Sequence, residues 1–252
     1  YRREFTSMQW KEGKEEVRIA HPTDFYPKKM ILKLFVELHK KEIFVPIKSE
    51  DLHGNVPDSA GAALLLIDVI NDFEFEGGEA LLELAMPVGE QIANLKKRAK
   101  ASGIPTIYVN DNFGKWQSDL NKIVSHCLED GVRGEPFVRL VLPDEDDYFV
   151  LKPKHSGFYC TSLDLLLTHL PAHNLILAGI AGNNCVLFTA NDAYMRDFKL
   201  FIPADCSVSQ TREENDNALQ QMEKVLKADI RPWGELDLEE LKATPAALGS
   251  TH

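Results

Sequence analysis

The sequence predicts a three-layer α/β/α sandwich with a mainly parallel central sheet, and two observations carry that prediction. From residue 62 onward, short apolar runs alternate with longer segments of helical period. The short runs are apolar throughout, so both faces of each strand must be covered, which helical crossovers on a parallel sheet achieve.

The elements follow in order. Ala62 to Ile67 (AALLLI) reads as a buried strand that ends at Asp68. Ala80 to Lys100 carries apolar residues at helical spacing and closes on Ser102-Gly103, a stop signal. Thr106 to Val109 reads as strand, Trp116 to Leu128 as helix, Tyr148 to Leu151 as strand and Thr161 to Leu170 as helix. Leu175 to Ala178 is the next strand, Cys185 to Met195 the next helix, Leu200 to Ile202 a strand and Arg212 to Leu226 a helix.

Residues 1–60 do not fit this rhythm and are expected to form an N-terminal extension, with the α/β domain spanning residues 61–252. Within the extension, Lys29 to Lys41 places Ile31, Leu34, Phe35 and Leu38 on one helical face and is followed by IFVPI at 43–47. Such an element is expected to pack on the domain or on a neighbouring subunit. The turn-rich DLHGNVPDSAG at 51–61 is the expected junction.

Composition excludes several function classes. The formal net charge is -11 and acidic residues are spread along the chain, so no concentrated positive surface meets a nucleic acid backbone. No apolar run reaches the length of a membrane span, and the polar first thirty residues do not read as a signal peptide. A cytoplasmic protein with neither nucleic acid nor membrane as partner is expected. Cys127, Cys160, Cys185 and Cys206 lack paired metal or redox spacing and read as free thiols.

In an open parallel sheet, ligands bind at the carboxyl ends of the strands. Three reactive side chains fall there: Asp68 after the first strand, Lys152 at the end of FVLK, and Cys185 after LILAGIAGNN. Each has an ordinary structural explanation: a turn residue, a solvated strand end and a small core residue respectively. Together they could hydrolyse a substrate without metal. A thiol at a helix start has its thiolate favoured, more so beside an ammonium, and a carboxylate can take its proton and later hand it to a leaving group.

Three strings set the context: ALLLIDVINDF at 63–73, KPKHSGFYCTSLDLLL at 152–167 and AGIAGNNCVLFTANDAYMRDF at 178–198. In this order and spacing they resemble the signatures of the isochorismatase-like cysteine hydrolases, a superfamily that includes nicotinamidases and other amide hydrolases. The resemblance covers residues 62–230 and implies a catalytic triad of Asp68, Lys152 and Cys185. It also implies a cis peptide before Ala181 and an oxyanion hole from the N–H groups of Ala181 and Cys185. The implied reaction is C–N hydrolysis of a small molecule, an amidohydrolase reaction through a thioester, in a dimer or tetramer.

Nicotinamidases that share these signatures hold a metal with an Asp-x-His pair and a further His. Here the corresponding segment is Asp111-Asn112-Phe113, with Phe where His is needed, so neither metal nor cofactor is expected. A substrate pocket is expected from Phe73, Asn112, Phe113, Trp116, His155, Phe158 and Asn184, which pair flat apolar faces with amide donors. Isochorismate or ester hydrolysis on the same fold is one alternative. A binding or scaffolding protein that keeps the fold without turnover is another. A Rossmann-like nucleotide binder is disfavoured, because neither GxGxxG after the first strand nor GxxxxGK[ST] occurs.

Overall fold

A computed structural model describes residues 60–113 and 119–243 of the chain. The expected extension, its amphipathic helix and Trp116 lie outside the described residues. The elements are β1 (Ala62–Ile67), α1 (Gly78–Ala101), β2 (Thr106–Asp111), α2 (Leu120–Glu129), α3 (Glu135–Leu140), β3 (Tyr148–Lys152), α4 (Leu163–His169) and β4 (Asn174–Ile180). A π-helical turn at Gly182–Val186 leads into α5 (Leu187–Tyr194), then β5 (Lys199–Phe201), β6 (Ser207–Val208), α6 (Arg212–Leu226) and α7 (Leu238–Ala243).

All strand pairs are parallel, in the order β3-β2-β1-β4-β5, with β6 taking up the far half of β4 beyond β5. Alternate residues of β1 enter two separate cores, as an apolar-throughout strand requires. Ala62, Leu64 and Leu66 pack with α1, α2, α3 and α7, whereas Ala63, Leu65 and Ile67 pack with α4, α5 and α6. Each fully buried Leu or Ile contributes about 1.5–3 kcal/mol of transfer free energy, and β1 alone supplies four such side chains. The three-layer expectation therefore holds, with the described helices divided between the two faces of the sheet.

Helix ends follow local chemistry. Thr211 and Glu214 form a reciprocal capping box that starts α6 at Arg212, and Lys227 ends it in the left-handed region. The Asp119 side chain accepts from Lys122 N at 2.9 Å and starts α2 at Leu120, later than the Trp116 expected from periodicity. The helix expected from Cys185 divides into the π turn and α5. Sequence periodicity did not find α3, α7 or β6, each of six residues or fewer, too short for a repeating apolar face to register.

The chain switches sides of the sheet between β1 and β4, so the carboxyl ends of these neighbours open the crevice where a ligand fits. Their close approach depends on Gly179, which sits opposite Ile67 at φ +132°. A Cβ there would lie 2.0 Å from the Ile67 carbonyl oxygen, a backbone atom unable to turn aside. Gly179→Ala should therefore destabilise the protein by about 4 kcal/mol or more, read as a lowered urea midpoint. An unchanged midpoint would mean that the two strands can separate without loss.

Candidate active site

Asp68 follows β1 at φ +50°, in the left-handed region that Asp tolerates better than most residues. Its N–H donates to the Val109 carbonyl at 3.0 Å, and its Oδ1 accepts from the Asp111 N–H at 2.6 Å. The loop beyond it is clasped by Asn110, fully buried in β2. Asn110 Oδ1 accepts from Ile70 N and its Nδ2 donates to Ile70 O, both at 3.0 Å. A buried amide that satisfies both backbone groups of one residue fixes the loop against the sheet.

Lys152, the last residue of β3, is completely buried and reaches across β2. Its ammonium lies 2.8 Å from Asp68 Oδ2, 3.4 Å from Cys185 Sγ and 3.2 Å from the Lys154 carbonyl. These three acceptors match its three donors. Asp111 Oδ2 stands further off, at 3.7 Å.

Cys185 sits in the π turn after β4. The Ile180–Ala181 peptide is cis, as the resemblance implied, and Asn184 N and Val186 N both donate to the Ala181 carbonyl, at 3.0 and 3.1 Å. The turn is supported from α6 and the segment before it: Asn183 N donates to Ser209 Oγ, and that hydroxyl donates to Asn215 Oδ1 in α6. A Cβ on Gly182 would fall 2.1 Å from this Asn215 oxygen. On the other side, Thr189 donates to the Cys185 carbonyl at 2.7 Å and accepts from Gly157 N at 3.0 Å, tying the loop after β3 to α5.

Burial dominates the electrostatics. It raises the Asp68 carboxyl above its ordinary value even though the Lys152 charge and hydrogen bonds from Cys185 and Lys152 oppose the shift. For Lys152, burial acts to lower the pKa, but the Asp68 carboxylate and Cys185 outweigh it and the ammonium is held above its ordinary value. The Cys185 thiol is pushed up to about 12 by burial and by Asp68, against the opposing pull of Lys152. This corrects the expectation of a thiolate favoured by a helix start, because a half-buried sulfur beside a carboxylate is costly to ionise.

Burial and the neighbouring Asp68 carboxylate thus favour the thiol form of the resting sulfur. The ultraviolet thiolate absorbance, taken as wild type minus Cys185→Ser, should emerge only on approach to about pH 12. A thiolate signal at neutral pH would contradict this protonation state.

A cavity of about 530 Å³ opens over this corner. Asp68, Ala181 and Cys185 form its floor with Ile180; Phe75, Leu81, Phe113 and Phe188 supply apolar wall; Asn71, Asp111, Asn183, Asn184 and Gln210 supply polar groups. Of the expected pocket residues, Phe113 and Asn184 reach the wall. Phe73 does not: at φ +57° its ring turns into the core and meets Phe137 edge-on at 5.4 Å. Phe158 lies in the opposite core with the Arg196 guanidinium over its ring at 4.7 Å. Asn112 is off the wall, where its N–H donates to the Lys152 carbonyl at 3.3 Å.

His155 stands beside the cavity, its Nδ1 3.9 Å from Cys185 Sγ and its ring tilted on Phe188 at 5.4 Å. Sequence reasoning missed Asn71, Phe75, Phe188 and Gln210, which come from three separate segments and carry no common motif. It placed Asp111 only as half of a metal pair. The donors do not fit a nicotinamidase-type metal: Asp111 is present, but Phe113 offers no ligand atom. Among the described residues, the acidic group spaced for an ion is Asp144, Asp146 and Asp147, whose carboxylates pair with Lys96 and Lys100. No described helix is long and apolar enough to cross a membrane.

Comparison with known proteins identifies the family. Residues 62–230 match the isochorismatase domain family. The uncharacterized isochorismatase family protein YaaI of Bacillus subtilis (strain 168) is 46% identical over 171 residues, spanning 68% of this chain and 93% of that protein. The ureidoacrylate amidohydrolase RutB of Methylorubrum extorquens is 28% identical over 191 residues, spanning 65% of this chain and 75% of that protein. Among solved structures, an isochorismatase-like hydrolase from Alkaliphilus metalliredigens superposes with a TM-score of 0.54 at 25% identity, over 70% of this chain and 96% of its own.

Proposed function

Because this chain belongs to the isochorismatase family, we propose that it is a cysteine hydrolase that cleaves the C–N bond of a small amide or ureide through a thioester on Cys185. The observation that carries the reading is the position of the buried Lys152 ammonium, within 2.8 Å of Asp68 and 3.4 Å of Cys185, the two reactive groups that line the cavity. The amidohydrolase among its relatives is consistent with C–N chemistry.

The steps follow from the groups present. Burial makes the Asp68 carboxylate a stronger base than usual, so it takes the Cys185 proton as the sulfur attacks the carbonyl carbon. The negative charge moves from Asp68 to sulfur without leaving the reach of Lys152, so charge separation costs little. The developing oxyanion is met by the N–H groups of Ala181 and Cys185, both of which line the cavity floor. Asp68 then gives its proton to the departing nitrogen as the C–N bond breaks. Water adds to the thioester while Asp68 accepts its proton. The S–C bond breaks, sulfur takes that proton back, and the acid leaves.

A hydrolysis screen over small amides, ureides and esters tests this, with Cys185→Ala as control. Amide turnover that disappears in the control is the expected result, and turnover that survives overturns the thioester. The homo-oligomer expected from sequence belongs to the same reading and is checked by light scattering.

A further inference from the structure

Resting on the hydrolase reading, we propose that the site selects planar amides that are uncharged or cationic, held through their N–H groups by Asp111, and rejects substrates that carry a carboxylate.

The position of Asp111 carries this. Its backbone is pinned, since its N–H donates to Asp68 Oδ1 at 2.6 Å and its carbonyl lies on β2. Its Oδ1 accepts from Phe113 N at 2.6 Å, which orients the carboxylate. The other oxygen remains 3.7 Å from Lys152, and the side chain is 40% exposed on the cavity wall. A fixed, part-exposed carboxylate that lines the cavity is a ready acceptor for amide or amidinium N–H.

Nothing described on the wall balances it toward an anion. No lysine, arginine or histidine lines the cavity among the described residues, and the buried Lys152 beside it has its three protons taken by Asp68, Cys185 and the Lys154 carbonyl. A substrate carboxylate would meet two carboxylates, Asp68 and Asp111, in a partly desolvated space. The remaining polar wall is side-chain amide, from Asn71, Asn183 and Gln210, and the exposed faces of Phe75 and Phe113 suit a flat ring. The net charge of -11 acts in the same direction at longer range.

The test uses three isosteric probes: benzamidine, benzamide and benzoate. Binding is measured by calorimetric titration of the full chain, as wild type and as Cys185→Ala, in which no thioester can form. Benzamidine and benzamide should bind and benzoate should be weaker by about tenfold or more. Asp111→Asn keeps the Phe113 hydrogen bond and removes the charge, so it should shrink the benzamidine-over-benzoate preference by about tenfold.

Benzoate binding as tightly as benzamide, a preference unchanged in Asp111→Asn, or no binding of any probe would each overturn the proposal. Because binding is read without turnover, the two readings fail separately. Amide selectivity without hydrolysis of any amide sinks the hydrolase assignment alone. Hydrolysis with indifferent binding sinks the charge selectivity alone.

Discussion

Cys185→Ala should lower kcat/KM for the best amide by at least about 10⁴-fold while leaving a folded protein. Removing a triad nucleophile elsewhere costs that much, because positioning and oxyanion binding alone retain only a small residue of catalysis. The fold should survive because the thiol is one of three acceptors for Lys152, and Asp68 and the Lys154 carbonyl remain. The expected change in stability is about 1 kcal/mol, read from the thermal midpoint. Mass spectrometry of the wild type during turnover should find a Cys185 adduct of the acyl mass, absent in the variant. Full activity in Cys185→Ala would return the site to direct attack by water.

Lys152→Met should be the most damaging single change to the site, acting on activity and stability together. It removes the only counter-charge within 4 Å of a buried carboxylate among the described residues, and breaking such a pair from one side costs about 3–5 kcal/mol. The sign of the pH dependence follows from Asp68. Its pKa is already raised by burial with Lys152 present, and without the ammonium it rises further. A carboxyl with a raised folded-state pKa contributes stability below its ordinary value and loses it as pH rises through the raised value.

The deficit of Lys152→Met against wild type should therefore be small in acid and grow as pH climbs above the ordinary carboxylate range. Urea titrations across that range measure it. A deficit that is constant with pH would mean that packing of the lysine stem, and not its charge, is what was lost. Activity should fall steeply, because without the ammonium the buried Asp68 carboxylate and the developing thiolate both lose their counter-charge.

How far the residues could be read in advance depended on how local the relevant physics is. The β1 run AALLLI and the α6 span Arg212 to Leu226 were legible to the residue, because burial on two faces and helical period are written in neighbouring positions. That Asp68, Lys152 and Cys185 come together was legible because each stands at a strand end or just beyond one, in a string with a recognisable neighbourhood. The pocket was read less well. Phe73 and Phe158 looked like wall and proved to be core, because the direction of an aromatic ring depends on backbone turns such as the positive φ of Phe73.

By itself, the sequence determined the layered α/β architecture, the family and the three side chains at the carboxyl ends of the strands, since periodicity, caps and motif strings act over a few residues. Tertiary structure alone decided the protonation of Cys185. A thiol at the start of a helix reads as activated, but the folded chain buries it against Asp68 and pushes it up to about 12, which makes the carboxylate the base. It also decided that Asp111 faces the cavity and that Lys152 has no proton to spare. Those facts depend on distances between side chains that the fold brings together from different strands, and electrostatics in a buried site is set by such distances and by the exclusion of water.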